Sequence, residues 1–316
     1  MRHRSFRRFS KRKFITLIFT VIICVLYQLF GFEQQRSVVV SYEDNSVAQD
    51  FSKRKSLRVC TWNVHNYNVS NRRVNGRWVS YPKPKSERDE IASTLAKINA
   101  DVVLIQEMGD ATYMRDLCER LRKAGVSYAF AGVSNYDVPS RLGILCKVKP
   151  AKVFDFSNTY FQFNRQKMYS PRGALGVKID INSRSVYAFA IHLKSKVSAK
   201  KEDENFTPFR RAELKAIVRR ITKATTNDSL TIIGGDFNDE PNKYLLKSAE
   251  QFKVVAQSDL VGSNYTYSWR KKNAFYMYDY FLASENLLPY LKKGRVIAKT
   301  SASDHRPVYV DIRFEK

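Results

Sequence analysis

The sequence predicts an α/β domain in which two packed β-sheets carry helices on their outer faces. Eight apolar runs of strand length, rich in Val, Ile and aromatic residues, recur along the chain: Leu57–Val64, Val102–Gln106, Leu142–Val148, Ala174–Ile181, Val186–His192, Leu230–Gly234, Tyr278–Ala283 and Val308–Ile312. Helical patterns lie between several of them. Ser86–Ile98 places Ile91, Leu95 and Ile98 on one face, with Ser86 as the expected N-cap, and Pro208–Ile221 does the same with Leu214, Ile217, Val218 and Ile221. No Pro/Gly/Ser-rich break, low-complexity tract or repeat interrupts residues 57 to 316, so one domain of about 260 residues is expected there. Many strands with few helices favour two packed sheets over a single parallel one.

Upstream of that domain the pattern changes. Residues 1–13 form a basic tail with seven Lys and Arg side chains and no acid. Phe14 to Phe32 is a run of 19 residues without a charge, which as a helix spans roughly 28 Å, the thickness of a bilayer core. A cleaved signal peptide is the alternative. However, Gly31-Phe32-Glu33-Gln34-Gln35 offers no small-x-small cleavage site, so an uncleaved transmembrane anchor at 14–32 is expected. The basic flank puts the N-terminus in the cytoplasm and the rest of the chain across the membrane. Residues 33–56, polar and ending in Lys53-Arg54-Lys55, read as a linker.

The whole chain carries 55 Lys and Arg against 30 Asp and Glu, a net charge of +25. Such a field concentrates polyanions, so nucleic acid or an anionic lipid surface is the expected partner, against the alternative of a solvated basic surface with none. Cysteine usage excludes a disulfide scaffold, because Cys24 lies in the apolar run and only Cys60, Cys118 and Cys146 remain. Cys60 and Cys146 sit in strand-like stretches as small buried hydrophobes. A monomer is the default expectation.

Polar residues collect where the apolar runs end. In chain order they are Trp62-Asn63, Gln106-Glu107, His192-Leu193-Lys194-Ser195-Lys196, Gly234-Gly235-Asp236-Phe237-Asn238, Asp279, and Ser303-Asp304-His305-Arg306. Phosphodiester hydrolysis needs these types of group: a cation held by oxygen ligands, a carboxylate to orient or deprotonate water, donors to the developing charge, and an imidazole near the leaving group. Read alone, Asp236 and Asn238 after two glycines also fit a simple turn, and Lys194 and Lys196 also fit ordinary surface lysines.

Taken together, the number, order and spacing of these groups resemble the endonuclease/exonuclease/phosphatase superfamily, which includes exonuclease III, deoxyribonuclease I, neutral sphingomyelinases and inositol polyphosphate phosphatases. The resemblance runs from Leu57 to Phe314, with the Gly-Asp-Phe-Asn and Ser-Asp-His segments its most specific marks. It implies a four-layer αββα sandwich, two packed mixed β-sheets flanked by helices, with the site in a cleft along the upper strand ends. It also implies roles. Glu107 would be the principal Mg²⁺ ligand, helped by Asn63 and Asp304, with Mn²⁺ the alternative cation. Asp236 would activate the attacking water and Asn238 would donate to the phosphate. His305, held in one tautomer by Asp279, would contact a phosphoryl oxygen, and His192 would serve the phosphate or leaving group. Lys194, Lys196 and Arg172 are the expected substrate-binding cations. Two positions depart from the common pattern: His65 stands where many relatives have a carboxylate, which leaves the metal count open, and Met277-Tyr278 precedes Asp279 where Arg-Ile is frequent.

Three functions remain open at this level. The chain could be a sequence-tolerant nuclease acting outside the membrane, with DNA the foremost substrate. It could instead be a phosphodiesterase or phosphatase for lipid head groups or inositol phosphates. The third reading is a tethered basic binding module without catalysis. Arg72, Arg73 and Arg77 beside Trp78 and Tyr81 interleave cations and aromatics as single-strand binders do, and the same loop fits an ordinary lid equally well.

Overall fold

The computed structural model describes residues 39–136, 138–196, 207–226 and 228–314. Two large sheets make up the architecture. The larger has eight strands in the spatial order Val39–Glu43, Phe130–Val133, Arg141–Cys146, Val102–Met108, Ser56–Tyr67, Val308–Arg313, Gly294–Val296 and Gln257–Ser258. The smaller has six, in the order Phe252–Val254, Asp279–Ser284, Leu230–Asp236, Arg184–His192, Ala174–Ile181 and Lys152–Asp155. Each sheet is built around a central parallel pair, Ser56–Tyr67 beside Val102–Met108 in one and Arg184–His192 beside Leu230–Asp236 in the other; the remaining neighbours are antiparallel except Gln257–Ser258 beside Gly294–Val296 at the edge of the larger sheet.

Alternation along these central strands places the core. Leu57, Val59, Val102 and Leu104 from the larger sheet bury against Ala188, Ala190, Ile232 and Phe281 from the smaller, so the two sheets share one apolar interior. Residues of opposite parity point outward. Cys60, Trp62, Val103 and Ile105 pack under helices Lys85–Ile98 and Ala111–Lys123, whereas Phe189, Ile191 and Ile233 pack under helix Thr207–Ala224. The expected arrangement of paired sheets with helices outside is therefore present, and Cys60, Cys118 and Cys146 are buried and free.

Several local expectations differ. Helix Lys85–Ile98 begins after Pro84, and Ser86 makes no capping bond because it already lies inside the first turn. Helix Ala111–Lys123, absent from the sequence reading, is capped by Asp110, whose carboxylate accepts from Thr112 N and Tyr113 N. Its buried Met114, Leu117, Cys118 and Leu121 supply the helical period. The expected linker at 33–56 contributes structure instead: Val39–Glu43 pairs with Phe130–Val133, and Phe51 is buried in the core between the sheets. The basic tail 1–13 and the expected anchor 14–32 lie outside the described residues. Among the described residues no helix is long and apolar enough to cross a membrane.

Candidate active site

Strand direction brings the polar groups to one edge. Asn63 and Glu107 lie at the C-terminal ends of the parallel pair in one sheet, and His192 and Asp236 at the C-terminal ends of the parallel pair in the other. Strand Asp279–Ser284 runs antiparallel to Leu230–Asp236, so its first residue, Asp279, falls opposite Asp236 in register. His305 precedes strand Val308–Arg313, which is antiparallel to Ser56–Tyr67, and reaches the same edge. Six short sequence segments thus meet because parallel and antiparallel neighbours present opposite termini to one side of the sheets.

Two backbone devices shape the edge. In the larger sheet the ladder from Asn63 to Gln106 breaks before Tyr67 pairs with Met108, and the intervening His65, Asn66 and Glu107 take left-handed conformations with φ of 49°, 57° and 60°. Such residues cost about 1–3 kcal/mol each unless their surroundings fix them. Hydrogen bonds supply that fixing: Asn63 Nδ2 donates to Glu107 Oε1 (3.1 Å) and Asn66 N to Glu107 Oε2 (2.9 Å). In the smaller sheet a Cβ on Gly235 would meet Ile191 O at 2.0 Å, so only glycine lets the two strands approach as they do beside His192 and Asp236. Phe237 then turns inward and stacks on Tyr280 with centroids 3.9 Å apart, which anchors the loop that starts at Asp236.

At the centre stands Asp236, buried to 1% exposure. Its Oδ2 accepts from Asn63 Nδ2 (3.0 Å) and lies 3.4 Å from His192 Nε2 and 3.8 Å from His305 Nε2, while Oδ1 accepts from Asn238 N (2.8 Å). Burial, opposed by the nearby His305 and reinforced by Asp279, pushes its carboxyl up to about 7. His305 Nδ1 meets Asp279 Oδ2 at 2.7 Å, and Asp279 is held from behind by Thr266 Oγ1, which accepts from Asp279 N (2.8 Å). Burial alone would lower the His305 imidazole, but the Asp279 and Asp236 carboxylates outweigh it and raise it to about 10. Trp62 Nε1 donates to His305 O (3.1 Å) and Ser303 Oγ accepts from His305 N (3.0 Å), which fixes the backbone of that histidine.

His192 has the opposite character. Burial, then the positive charges of Arg172, His305 and Lys194, hold it well below the ordinary imidazole range, so it is neutral at pH 7. Arg172 faces both ring nitrogens of His192, with Nε 3.3 Å from Nδ1 and Nη2 2.9 Å from Nε2, and Asp236 Oδ2 lies 3.4 Å from that same Nε2. Two histidines on either side of one carboxylate therefore carry different charges. The difference arises from which groups face them, a buried carboxylate for one and a guanidinium for the other.

Not every expected role matches its placement. Both hydrogens of the Asn238 amide are spent on Leu193 O (3.0 Å) and Asp236 Oδ2 (3.3 Å), so Asn238 steadies Asp236 rather than facing outward. Lys196 pairs with Asp239 (2.9 Å) and lies over the Tyr278 ring (5.0 Å), while Lys194 Nζ donates to Ser195 O (3.3 Å). Asp304 is partly exposed at the rim, 3.4 Å from His65 Nδ1. The departure at Met277-Tyr278 enters an aromatic ladder in which Tyr278 stacks on Tyr267 (5.2 Å), and Tyr267 covers the His305 ring (4.8 Å).

Other contributors escaped sequence reading. Glu213 and Arg210, both fully buried on helix Thr207–Ala224, grip the backbone of Lys194 from its two sides: Glu213 Oε2 accepts from Lys194 N (2.9 Å) and Arg210 Nη1 donates to Lys194 O (3.2 Å). Glu213 Oε1 accepts from Ser170 Oγ (2.6 Å), which accepts from Gly173 N (2.8 Å), and Arg210 Nη2 donates to Asp239 Oδ2 (3.0 Å). These two side chains brace the loops holding Arg172, His192 and Asp236. Their helical pattern was legible, but charged residues at i and i+3 ordinarily mark the solvent face of a helix, and here they are buried.

The donor set decides where a cation belongs. Asp236, Asp279 and His305 bring one ligand atom each within 4.8 Å of one another, yet the charged imidazole already sits between the two carboxylates and takes the place of a cation there. Glu107 and the partly exposed Asp304 carry carboxylate oxygens, and the buried Asn63 donates to both Glu107 Oε1 and Asp236 Oδ2 while its own Oδ1 accepts from His65 N (3.0 Å). Carboxylate and amide oxygens are the donors a hard divalent cation takes.

Comparison with known proteins agrees with this geometry. Residues 60–305 match the Endonuclease/Exonuclease/phosphatase family. The chain belongs to that family. Its members are metal-dependent hydrolases of phosphoester bonds. Among solved structures, the chain is similar to an endonuclease/exonuclease/phosphatase family protein from Leptotrichia buccalis (TM-score 0.61, 19% identity, 82% of this chain and 100% of that one). It also resembles a mutant beta toxin from Staphylococcus aureus with bound magnesium ions (0.59, 20%, 81% and 99%). Truncated TDP2 from Caenorhabditis elegans is a third (0.56, 20%, 84% and 100%). At such identities these likenesses speak for the fold alone. No curated protein matches the sequence.

Proposed function

We propose that this chain hydrolyses phosphodiester bonds of nucleic acid with the help of Mg²⁺ held by Glu107, Asn63 and Asp304. The observation that carries the reading is the Asp236 carboxylate, flanked by a neutral His192 and a charged His305 that is itself paired with the buried Asp279. The cation, when bound, neutralises phosphoryl oxygen charge and polarises the phosphorus. Asp236, with a carboxyl near neutrality, accepts a proton from the attacking water, and Asn63 and Asn238 orient it. His305 donates from Nε2 to a phosphoryl oxygen as charge develops, while Asp279 fixes its tautomer. The neutral His192 stands beside the leaving group, and Arg172, in contact with its ring, supplies positive charge to the same phosphate.

Nucleic acid is favoured over other phosphodiesters by the net charge of +25. The segment 14–32 is proposed as an uncleaved anchor, with the N-terminus cytoplasmic and the catalytic domain outside. Protease accessibility of the domain in intact spheroplasts, with protection in inverted vesicles, tests that orientation.

The decisive assay offers the full chain in detergent plasmid, single-stranded DNA, RNA, phospholipid vesicles and bis(p-nitrophenyl) phosphate, with Mg²⁺ and with chelator. Mg²⁺-dependent cleavage of nucleic acid that Asp236→Ala and His305→Ala each reduce by at least about 10³-fold is expected. Chelator-resistant turnover, or full activity in either variant, defeats the mechanism. Turnover of phospholipid with none of DNA or RNA replaces the substrate class.

A further inference from the structure

The chemistry above makes no use of the segment that leaves the first active-site strand. Residues 69–82 form a hairpin, Val69–Val74 against Arg77–Pro82, that pairs with no other described strand. Its turn is Asn75-Gly76 with φ of 48° and 80°, the left-handed pair that suits a two-residue hairpin connection. Three arginines and no acid occur between Val69 and Pro82. Trp78 is 72% exposed, and Arg73, directly opposite it, is exposed as well. On the other face Arg72 lies 5.7 Å from the centre of the Tyr81 ring. Among the described residues neither Arg73 nor Arg77 has an acidic partner.

The root of this arm is tied to the site. Arg72 Nη2 donates to Asn66 O (2.7 Å), and Asn66 N donates to Glu107 Oε2 (2.9 Å). Lys83, its side chain fully buried, donates to His65 O (2.9 Å) and pairs with Glu87 (2.9 Å). A six-residue strand reaches about 20 Å, so the hairpin extends several nucleotide lengths from the carboxylate that holds the cation. An indole left in water is unfavourable for folding alone and gains only when a flat apolar partner covers it.

We propose that this hairpin is an arm that binds a single strand of nucleic acid, with a base stacked on Trp78, one backbone phosphate on Arg73 of the same face and a neighbouring phosphate on Arg77, which belongs to the opposite face beside the tip, and so guides the strand to the site. The proposal rests on the nucleic-acid reading of that site. Charge complementarity names the polyanion, and an exposed indole beside cations is the platform on which an unpaired base stacks. A membrane wedge is disfavoured because the tip, Asn75-Gly76-Arg77, is polar, and because apolar residues are split between the two faces by arginines.

The test uses the full chain in detergent, as wild type, Trp78→Ala, Trp78→Phe and Arg73→Ala/Arg77→Ala. Binding of a fluorescent 20-nucleotide single strand is measured in chelator, which removes hydrolysis from the readout. Trp78→Ala is expected to weaken binding about 10-fold and Trp78→Phe to restore most of it. The double arginine variant should lower the salt slope of binding by about 1.4. With Mg²⁺, both Ala variants should raise KM for the strand while leaving kcat/KM for bis(p-nitrophenyl) phosphate within about 2-fold and Tm unchanged. Unaltered single-strand binding in both overturns the arm, even if the small diester is cleaved normally. Loss of binding to anionic vesicles with single-strand binding intact overturns it in favour of a membrane contact. Failure of wild type to cleave any diester, with strand binding lost in the variants, leaves the arm standing and refutes the catalytic reading instead.

Discussion

Asp236 and His305 govern the pH response. Asp236 must be ionised to take a proton and is pushed up to about 7, and His305 must be charged to donate and is pushed up to about 10. Activity is therefore expected to rise through about pH 7 and fall near pH 10, a bell read from kcat/KM between pH 5 and 11. Asp279→Asn removes the carboxylate that raises His305, so the alkaline limb should shift down by at least one pH unit, with kcat reduced about 10²–10⁴-fold. Stability follows the same groups with the sign worked out. A carboxyl raised from 3.8 to about 7 contributes stability fully present below about pH 4 and lost as pH rises through 7. Asp236→Asn should accordingly raise Tm at pH 8 by about 2–4 °C and leave it unchanged at pH 4, as a pair of thermal melts would show. The identities of these residues were legible in Gly-Asp-Phe-Asn and Ser-Asp-His. Their protonation was not, because it depends on Asp279 lying 2.7 Å from His305 and on burial.

At the level of elements, the site depends on two strands pressed together and one helix that clamps their exits. Gly235→Ala forces a methyl against Ile191 O and should destabilise the domain by about 3 kcal/mol, seen as a lower denaturation midpoint with unchanged slope. Glu213→Gln keeps the shape but removes the charge that accepts from both Ser170 Oγ and Lys194 N. The expected result is about a 10-fold loss in kcat/KM, carried mainly by KM, since Arg172 and His192 lose their common support. Strands with strong alternation and the helices at 85–98 and 207–224 were readable because their apolar period is local. Helix Ala111–Lys123 was readable in principle from Asp110 and the spacing of Met114, Leu117 and Leu121, and was missed. Strand Val39–Glu43 had a local signal in Val39, Val40 and Tyr42, but five residues between polar neighbours are too few to separate a strand from a linker until Phe130–Val133 pairs with them.

For the molecule as a whole, a sandwich of two sheets explains how residues far apart in sequence share one edge: Trp62 bonds across 243 positions to His305, and Asn63 across 173 to Asp236. The net charge of +25 adds a long-range field, so the association rate with nucleic acid should fall steeply between 50 and 200 mM salt, measurable by stopped flow. Sequence alone determined which polar side chains stand at the strand ends and in what order, because residue type and local period are properties of the chain itself. Tertiary structure alone decided that Asn238 turns inward, that Lys196 is held by Asp239, that Glu213 and Arg210 are buried braces, and that two histidines beside one carboxylate differ in charge. Those properties are set by distances and solvent exclusion between segments that meet only after the sheets have packed.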